Sequence, residues 1–203
     1  MKFTADSRFH RQLVFVNGML PMLLIVIDGW LGKLGANPVE FVTRSSGVLT
    51  LVFLVITLLV TPLRKLFGWN WLLKQRRLLG LLAFFYGTVH LMAYVAGDRG
   101  WKLETVLGDV YKRPFIAVGM ISFLLMIPLA ITSTNKMIKK MGGKRWGQLH
   151  RLTYVVAIGG VVHFCMIVKS DFRYPLMFAI AVGLLLLYRA VMRLRTGPKK
   201  ANG

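Results

Sequence analysis

The chain has 203 residues, 56% of them hydrophobic, and mean hydropathy +0.60, yet it carries 27 Lys and Arg against seven Asp and Glu for a net charge of +20. That pairing excludes an ordinary soluble domain and requires apolar and basic residues to be segregated along the sequence. The single cysteine, Cys165, excludes an internal disulfide and reads as a polarizable filler.

Six apolar runs come near the roughly 17–25 residues needed to cross a bilayer. The first, 12–31, follows a basic start with Lys2, Arg8, His10 and Arg11; no small-residue cleavage site follows it, so it reads as an uncleaved helix rather than a secretory signal, with His10 solvated. The second is 47–63. The third, 78–96, is preceded by Arg76 and Arg77 and contains His90. The fourth is 114–131. The fifth, 152–168, contains His163 and has His150 two residues before its start. The sixth, 174–190, runs to Arg189, whose long side chain is expected to snorkel to the interface. The longest connections, 98–113 and 132–151, are too short for an independent core. The expected fold is an all-α, six-helix integral membrane bundle forming one domain over 1–203.

Positive charge sets the orientation, because cytoplasmic loops near the spans are enriched in Lys and Arg. With the N-terminus inside, 19 of the 27 basic residues fall on the inner side, whereas Glu40, Asp98, Glu104, Asp109 and Asp171 fall outside. Both termini are therefore expected in the cytoplasm. The positive balance reads as this topology, with some attraction to anionic membrane lipid, and not as a nucleic-acid surface.

Ionisable groups inside a bilayer are costly and mark function. The third and fifth spans run in the same direction, and His90 and His163 both lie about 17–18 Å beyond their helix starts at 1.5 Å per residue. Two neutral imidazoles level with each other across a bundle are what a bis-His b-type haem requires. There is no C-x-x-C-H for covalent haem attachment. A second tier is half present: His150 lies about 20 Å below His163, and the level positions on the third span hold Arg76 and Arg77. A guanidinium has no lone pair to give iron, but either arginine could hold a haem propionate or a flavin phosphate.

Helical phase complicates this tier. Thirteen residues leave His150 and His163 about 140° apart on a straight helix, whereas Arg76 and His90 are about 40° apart. Gly159 and Gly160 lie between the two histidines, and a kink or a local change in winding there is the expected remedy.

The stretches RRLLGLLAFFYGTVHLMAYV (76–95), RPFIAVGMISFLLMIPLAITS (113–133) and KRWGQLHRLTYVVAI (144–158) resemble the MsrQ family, also called YedZ. These are the haem-binding membrane subunits of bacterial methionine sulfoxide reductase systems, a minimal branch of the ferric reductase and NADPH oxidase transmembrane superfamily. The resemblance covers nearly the whole chain and rests most on RRLLG, His90, W-x-x-L-H at Trp146–His150, and His163.

The resemblance implies an electron conduit in the bacterial inner membrane. It would take electrons from the quinone pool or a cytosolic flavin reductase and deliver them to MsrP, a periplasmic molybdenum enzyme that reduces methionine sulfoxide in oxidised proteins. It also implies b-type haem, one or two, and FMN, with His90, His150 and His163 as the haem-associated, metal-binding histidines. The superfamily's usual fourth histidine is replaced here by Arg76 or Arg77. No G-x-G-x-x-G is present, so the donor is external and catalysis of sulfoxide reduction belongs to the partner. Trp69, Trp71 and Trp146 are the local candidates for stacking on a flavin, and the outer loop with Asp98, Glu104 and Asp109 is the expected docking surface for the periplasmic partner. Two other readings stay open: a different transmembrane metal or quinone reductase, and a transporter whose histidines pair with intramembrane acids, of which Asp28 is the sole example within a span.

Overall fold

The structure, a computed structural model, describes residues 7–195. Among them the chain forms helices α1 (Ser7–Trp30), α2 (Pro38–Phe67), α3 (Leu72–Met92, continued by a π-helical turn, Ala93–Asp98), α4 (Leu103–Lys112), α5 (Pro114–Ile131), α6 (Asn135–Met141), α7 (Gly143–Leu149), α8 (Leu152–Ile167) and α9 (Arg173–Arg195). Six segments are long and apolar enough to cross a membrane: α1, α2, α3 with its π turn, α5, α7 with α8, and α9. The chain is a multi-pass, all-α membrane bundle.

The helix ends follow local chemistry. The Asn37 side chain caps α2 by accepting from the Glu40 N–H at 3.1 Å, and Pro38 occupies a first-turn position where no N–H is needed. Gly68 closes α2 in the left-handed conformation at φ 70°.

Four helices, α2, α3, α5 and α8, make the central bundle, and α1 and α9 are fastened to it at proline sites. Pro21 interrupts α1, and beside it the buried Tyr86 hydroxyl of α3 donates to the Gly18 carbonyl at 2.7 Å and accepts from the Met22 N–H at 3.2 Å. Gly18 permits the approach, because a Cβ there would lie 2.4 Å from Leu82 Cδ1. In α2, Pro62 has no N–H to bond the carbonyl of Leu58 four residues earlier. Arg189 of α9 takes that carbonyl, donating from Nη2 at 2.7 Å, while Nη1 donates to the Tyr154 hydroxyl at 3.0 Å. Its guanidinium also lies 5.2 Å from the centre of the Tyr154 ring. Arg189 therefore does not snorkel outward: the carbonyl that Pro62 leaves free draws it into the bundle.

The expected kink at Gly159 and Gly160 is absent. Both lie within continuous α-helix, and the break falls at His150–Arg151, between α7 and α8. The glycines serve packing instead: a Cβ at Gly159 would strike Ser122 of α5, and one at Gly160 would lie 2.8 Å from Leu51 of α2.

Tyr86→Phe removes both bonds that tie α1 to α3 while keeping the ring. It is expected to lower stability by about 1–3 kcal/mol, read by thermal unfolding in detergent.

Candidate functional site

His90 of α3 and His163 of α8 meet across the central bundle, with ring centroids 6.0 Å apart and planes at 90°. Their anchors are alike. His90 Nδ1 lies 2.8 Å from the Thr43 carbonyl of α2, and His163 Nδ1 lies 2.6 Å from the Phe115 carbonyl of α5. A carbonyl only accepts, so in each ring Nδ1 carries the proton and donates, and Nε2 keeps its lone pair. A backbone carbonyl on one imidazole nitrogen is how proteins orient the other toward a metal. Two neutral imidazoles this close, each with Nε2 uncommitted, are a donor set that would hold a haem iron. His90 and His163 are therefore the residues that would hold a haem here.

Each anchor comes with a glycine one turn later. A Cβ on Gly47, four residues after Thr43, would lie 2.9 Å from His90 Nδ1, and one on Gly119, four residues after Phe115, would lie 2.7 Å from His163 Cε1. Any larger residue would push the imidazole off the helix and away from its carbonyl. The same device, a carbonyl with a glycine one turn beyond it, thus holds each histidine from a neighbouring helix. Sequence reasoning missed Gly47 and Gly119. Their only signal is a glycine inside an apolar span, which marks a close approach without saying of what.

His150, the residue after α7, is held differently. Its ring stacks on Trp146 at 3.9 Å and 26°, and its Nε2 lies 3.0 Å from Thr132 Oγ1. Thr132 donates its own hydroxyl proton to the Pro128 carbonyl at 2.6 Å, so the imidazole donates to Thr132 from Nε2. Trp146 Nε1–H donates to the Thr132 carbonyl at 2.9 Å, which locks the indole. His150 therefore uses the nitrogen that His90 and His163 leave free. Arg76, Arg77, Phe84, Met126 and Trp146 line the same cavity of about 70 Å³.

The two arginines diverge, since successive residues on a helix point about 100° apart. Arg77 Nη1 donates to Asn135 Oδ1 at 2.5 Å, and Arg76 lies within electrostatic reach of His150, Tyr154 and Arg189. Trp69 stacks on Phe67 and Trp71 packs on His10, so neither shares the cavity of Trp146, and His10 is not simply solvated.

At the α4 end of the bundle, Asp109 is not a free docking charge. Buried at the inward face of α4, it accepts from the Tyr94 hydroxyl at 2.7 Å and pairs with Arg99 at 2.7 Å and Arg113 at 3.3 Å. The Tyr94 hydrogen bond, then Arg99 and Arg113, hold its carboxyl below the ordinary value of 3.8 against desolvation. Asp98 and Glu104 remain exposed.

Residues 46–161, spanning α2 to α8, match the family model of the ferric reductase-like transmembrane component. The chain is 49% identical over 190 residues to the heme-binding subunit MsrQ of a protein-methionine-sulfoxide reductase from Azospira oryzae, covering 93% of this chain and 82% of that one. It is 45% identical to the protein of the same description from Rhodospirillum rubrum, covering 94% and 93%. The magnetosome protein MamZ of Paramagnetospirillum magneticum is 43% identical over 88% of this chain, which covers 29% of MamZ. No solved structure matches.

Gly47→Ala and Gly119→Ala force each ring off its carbonyl, and each is expected to cost about 1–3 kcal/mol in denaturant unfolding. The share of stability due to Asp109 follows from its depressed pKa. It is complete above 3.8 and is lost only as pH falls through the lower folded value. The melting temperatures of wild type and Asp109→Asn should therefore differ by a constant margin from neutrality down to about pH 4, and converge at more acid pH.

Proposed function

Since the chain belongs to the ferric reductase-like transmembrane family and, within it, to the MsrQ subunits, we propose that it is the b-type haem-binding inner-membrane subunit of a protein-methionine-sulfoxide reductase system, with His90 and His163 as the axial ligands. The observation that carries this reading is the pair of level imidazoles, each with Nδ1–H fixed to a neighbouring helix and Nε2 without a hydrogen-bond partner among the described residues.

A haem held by His90 and His163 would supply reversible one-electron exchange, at a potential set by the residues that hold it and by burial. The chain's own residues do the rest. The Thr43 and Phe115 carbonyls fix the tautomer and aim of each imidazole, Gly47 and Gly119 keep the anchoring helices close, and the apolar bundle excludes water. One haem accounts for this donor set. His150 lines the inner cavity with Arg76 and Arg77 and is assigned there to interactions with an anionic group of a cofactor, the phosphate of FMN.

The excess of basic residues on one side of the bundle supports cytoplasmic termini. In this orientation electrons arrive at the cytoplasmic face, from the quinone pool or a cytosolic flavin reductase, and leave toward the periplasmic molybdenum enzyme MsrP. Sulfoxide chemistry takes place on that partner, and this chain contributes the crossing of the membrane.

The purified protein is expected to show a low-spin b-type signal in its reduced-minus-oxidised spectrum, lost in His90→Ala and in His163→Ala. In His150→Ala, haem per chain should stay the same; a fall by half would establish a second haem. A haem-free wild type from haem-replete cells would overturn the assignment.

A further inference from the structure

The helix α4, with the two residues before it, has a face that the haem site does not use. Its residues fall into three sectors at about 100° each. Val106, Asp109 and Val110 turn toward the bundle, where Val106 and Asp109 are buried and Asp109 is fastened to Tyr94, Arg99 and Arg113. Leu103, Leu107 and Tyr111 form a stripe one helical turn apart and are 69%, 61% and 92% exposed. Glu104, Thr105, Gly108 and Lys112 make the third sector, which is polar or small, with the exposed Glu104 at its border with Tyr111.

Trp101 extends the stripe. It is 66% exposed and has φ 62°, the one non-glycine residue with positive φ among the described residues. That conformation is rare for a bulky side chain, and it is held here by the bond from its N–H to the Val95 carbonyl at 3.0 Å. Gly100, at φ 54°, shares the reversal that carries the chain from α3 into α4. The chain therefore holds a tryptophan outward at a position where glycine would sit without strain.

We propose that α4 is an interfacial anchor whose stripe of Trp101, Leu103, Leu107 and Tyr111 docks on phospholipid at the boundary between headgroups and acyl chains of the outer leaflet. Three observations select lipid over a soluble partner. Aromatic residues close the stripe at both ends, the composition of a membrane-interface belt. Lys102, exposed between Trp101 and Leu103, flanks it, where its cation meets lipid phosphate while its stem lies along apolar surface. The neighbouring span α5 likewise exposes apolar side chains, Ile121 and Leu124 at 58% and 53%, as a lipid-facing helix does. A partner arriving from water would meet the sector of Thr105, Gly108 and Lys112.

The test uses the full chain in vesicles of phosphatidylethanolamine and phosphatidylglycerol. Replacing Cys165, the only cysteine, by Ala gives a background for spin labels at Leu103→Cys, Leu107→Cys, Tyr111→Cys, Thr105→Cys and Gly108→Cys. The first three sites are exposed, Thr105 is exposed, and a Cβ at Gly108 meets nothing within 4 Å, so the fold tolerates all five labels. Collisions with oxygen relative to a water-soluble nickel chelate should be several-fold more frequent at 103, 107 and 111 than at 105 and 108. Equal nickel access at all five positions would overturn the proposal. So would a stripe that is open to nickel in the vesicle alone and becomes shielded when the periplasmic partner is added, which would make it a protein docking face.

Discussion

A hydrogen bond from an imidazole Nδ1–H to a helix carbonyl, made twice, organises the centre of this protein. A carbonyl inside an α-helix keeps a second lone pair after bonding its own i+4 N–H, and no water competes for it in the bundle interior. The Thr43 and Phe115 carbonyls use that capacity to hold His90 and His163. The bond is short only if the ring lies directly against the helix, and this makes glycine necessary at 47 and 119. The separation between α2 and α3, and between α5 and α8, is thereby set by the thickness of an imidazole. Both Nε2 atoms stay available because both Nδ1 atoms are used.

The outer helices of the bundle are fastened on a related principle. Lipid removes most of the hydrophobic drive for one helix to pack on another, so a polar contact that satisfies a backbone group gains importance. Pro62 leaves the Leu58 carbonyl without its helical donor and Arg189 of α9 takes it, while beside Pro21 the Tyr86 hydroxyl of α3 bridges the Gly18 carbonyl and the Met22 N–H. Prolines within these spans act as attachment points as well as interruptions.

Charge is distributed unevenly along the membrane normal. At one end of the bundle, Asp109 gathers Tyr94, Arg99 and Arg113 and pins α4 there. On the opposite side, Arg76 and Arg189 lie near each other and make their contacts with Tyr154, a backbone carbonyl and aromatic surface rather than with a carboxylate. This leaves the inner cavity electropositive beside His150, the property needed there to hold an anionic group.

The six spans were legible in the sequence because the bilayer fixes a length of apolar chain and tolerates few charges within it. The meeting of His90 and His163 was legible too, because a constant rise per residue turns sequence position into depth. Azimuth was not. The winding change between His150 and His163 occurs at His150–Arg151 and not at Gly159–Gly160, since those glycines are committed to Ser122 and Leu51, contacts that exist only once α8 lies against α5 and α2. Arg189 reads as a snorkelling cation and Asp109 as a surface charge until Pro62 and Tyr94 are brought beside them. By itself the sequence determined which segments cross the membrane and how deep each histidine lies, because these depend on composition and distance along one chain. Only the tertiary structure decided which nitrogen each histidine offers, because that depends on which carbonyl, hydroxyl or ring a neighbouring helix sets against it.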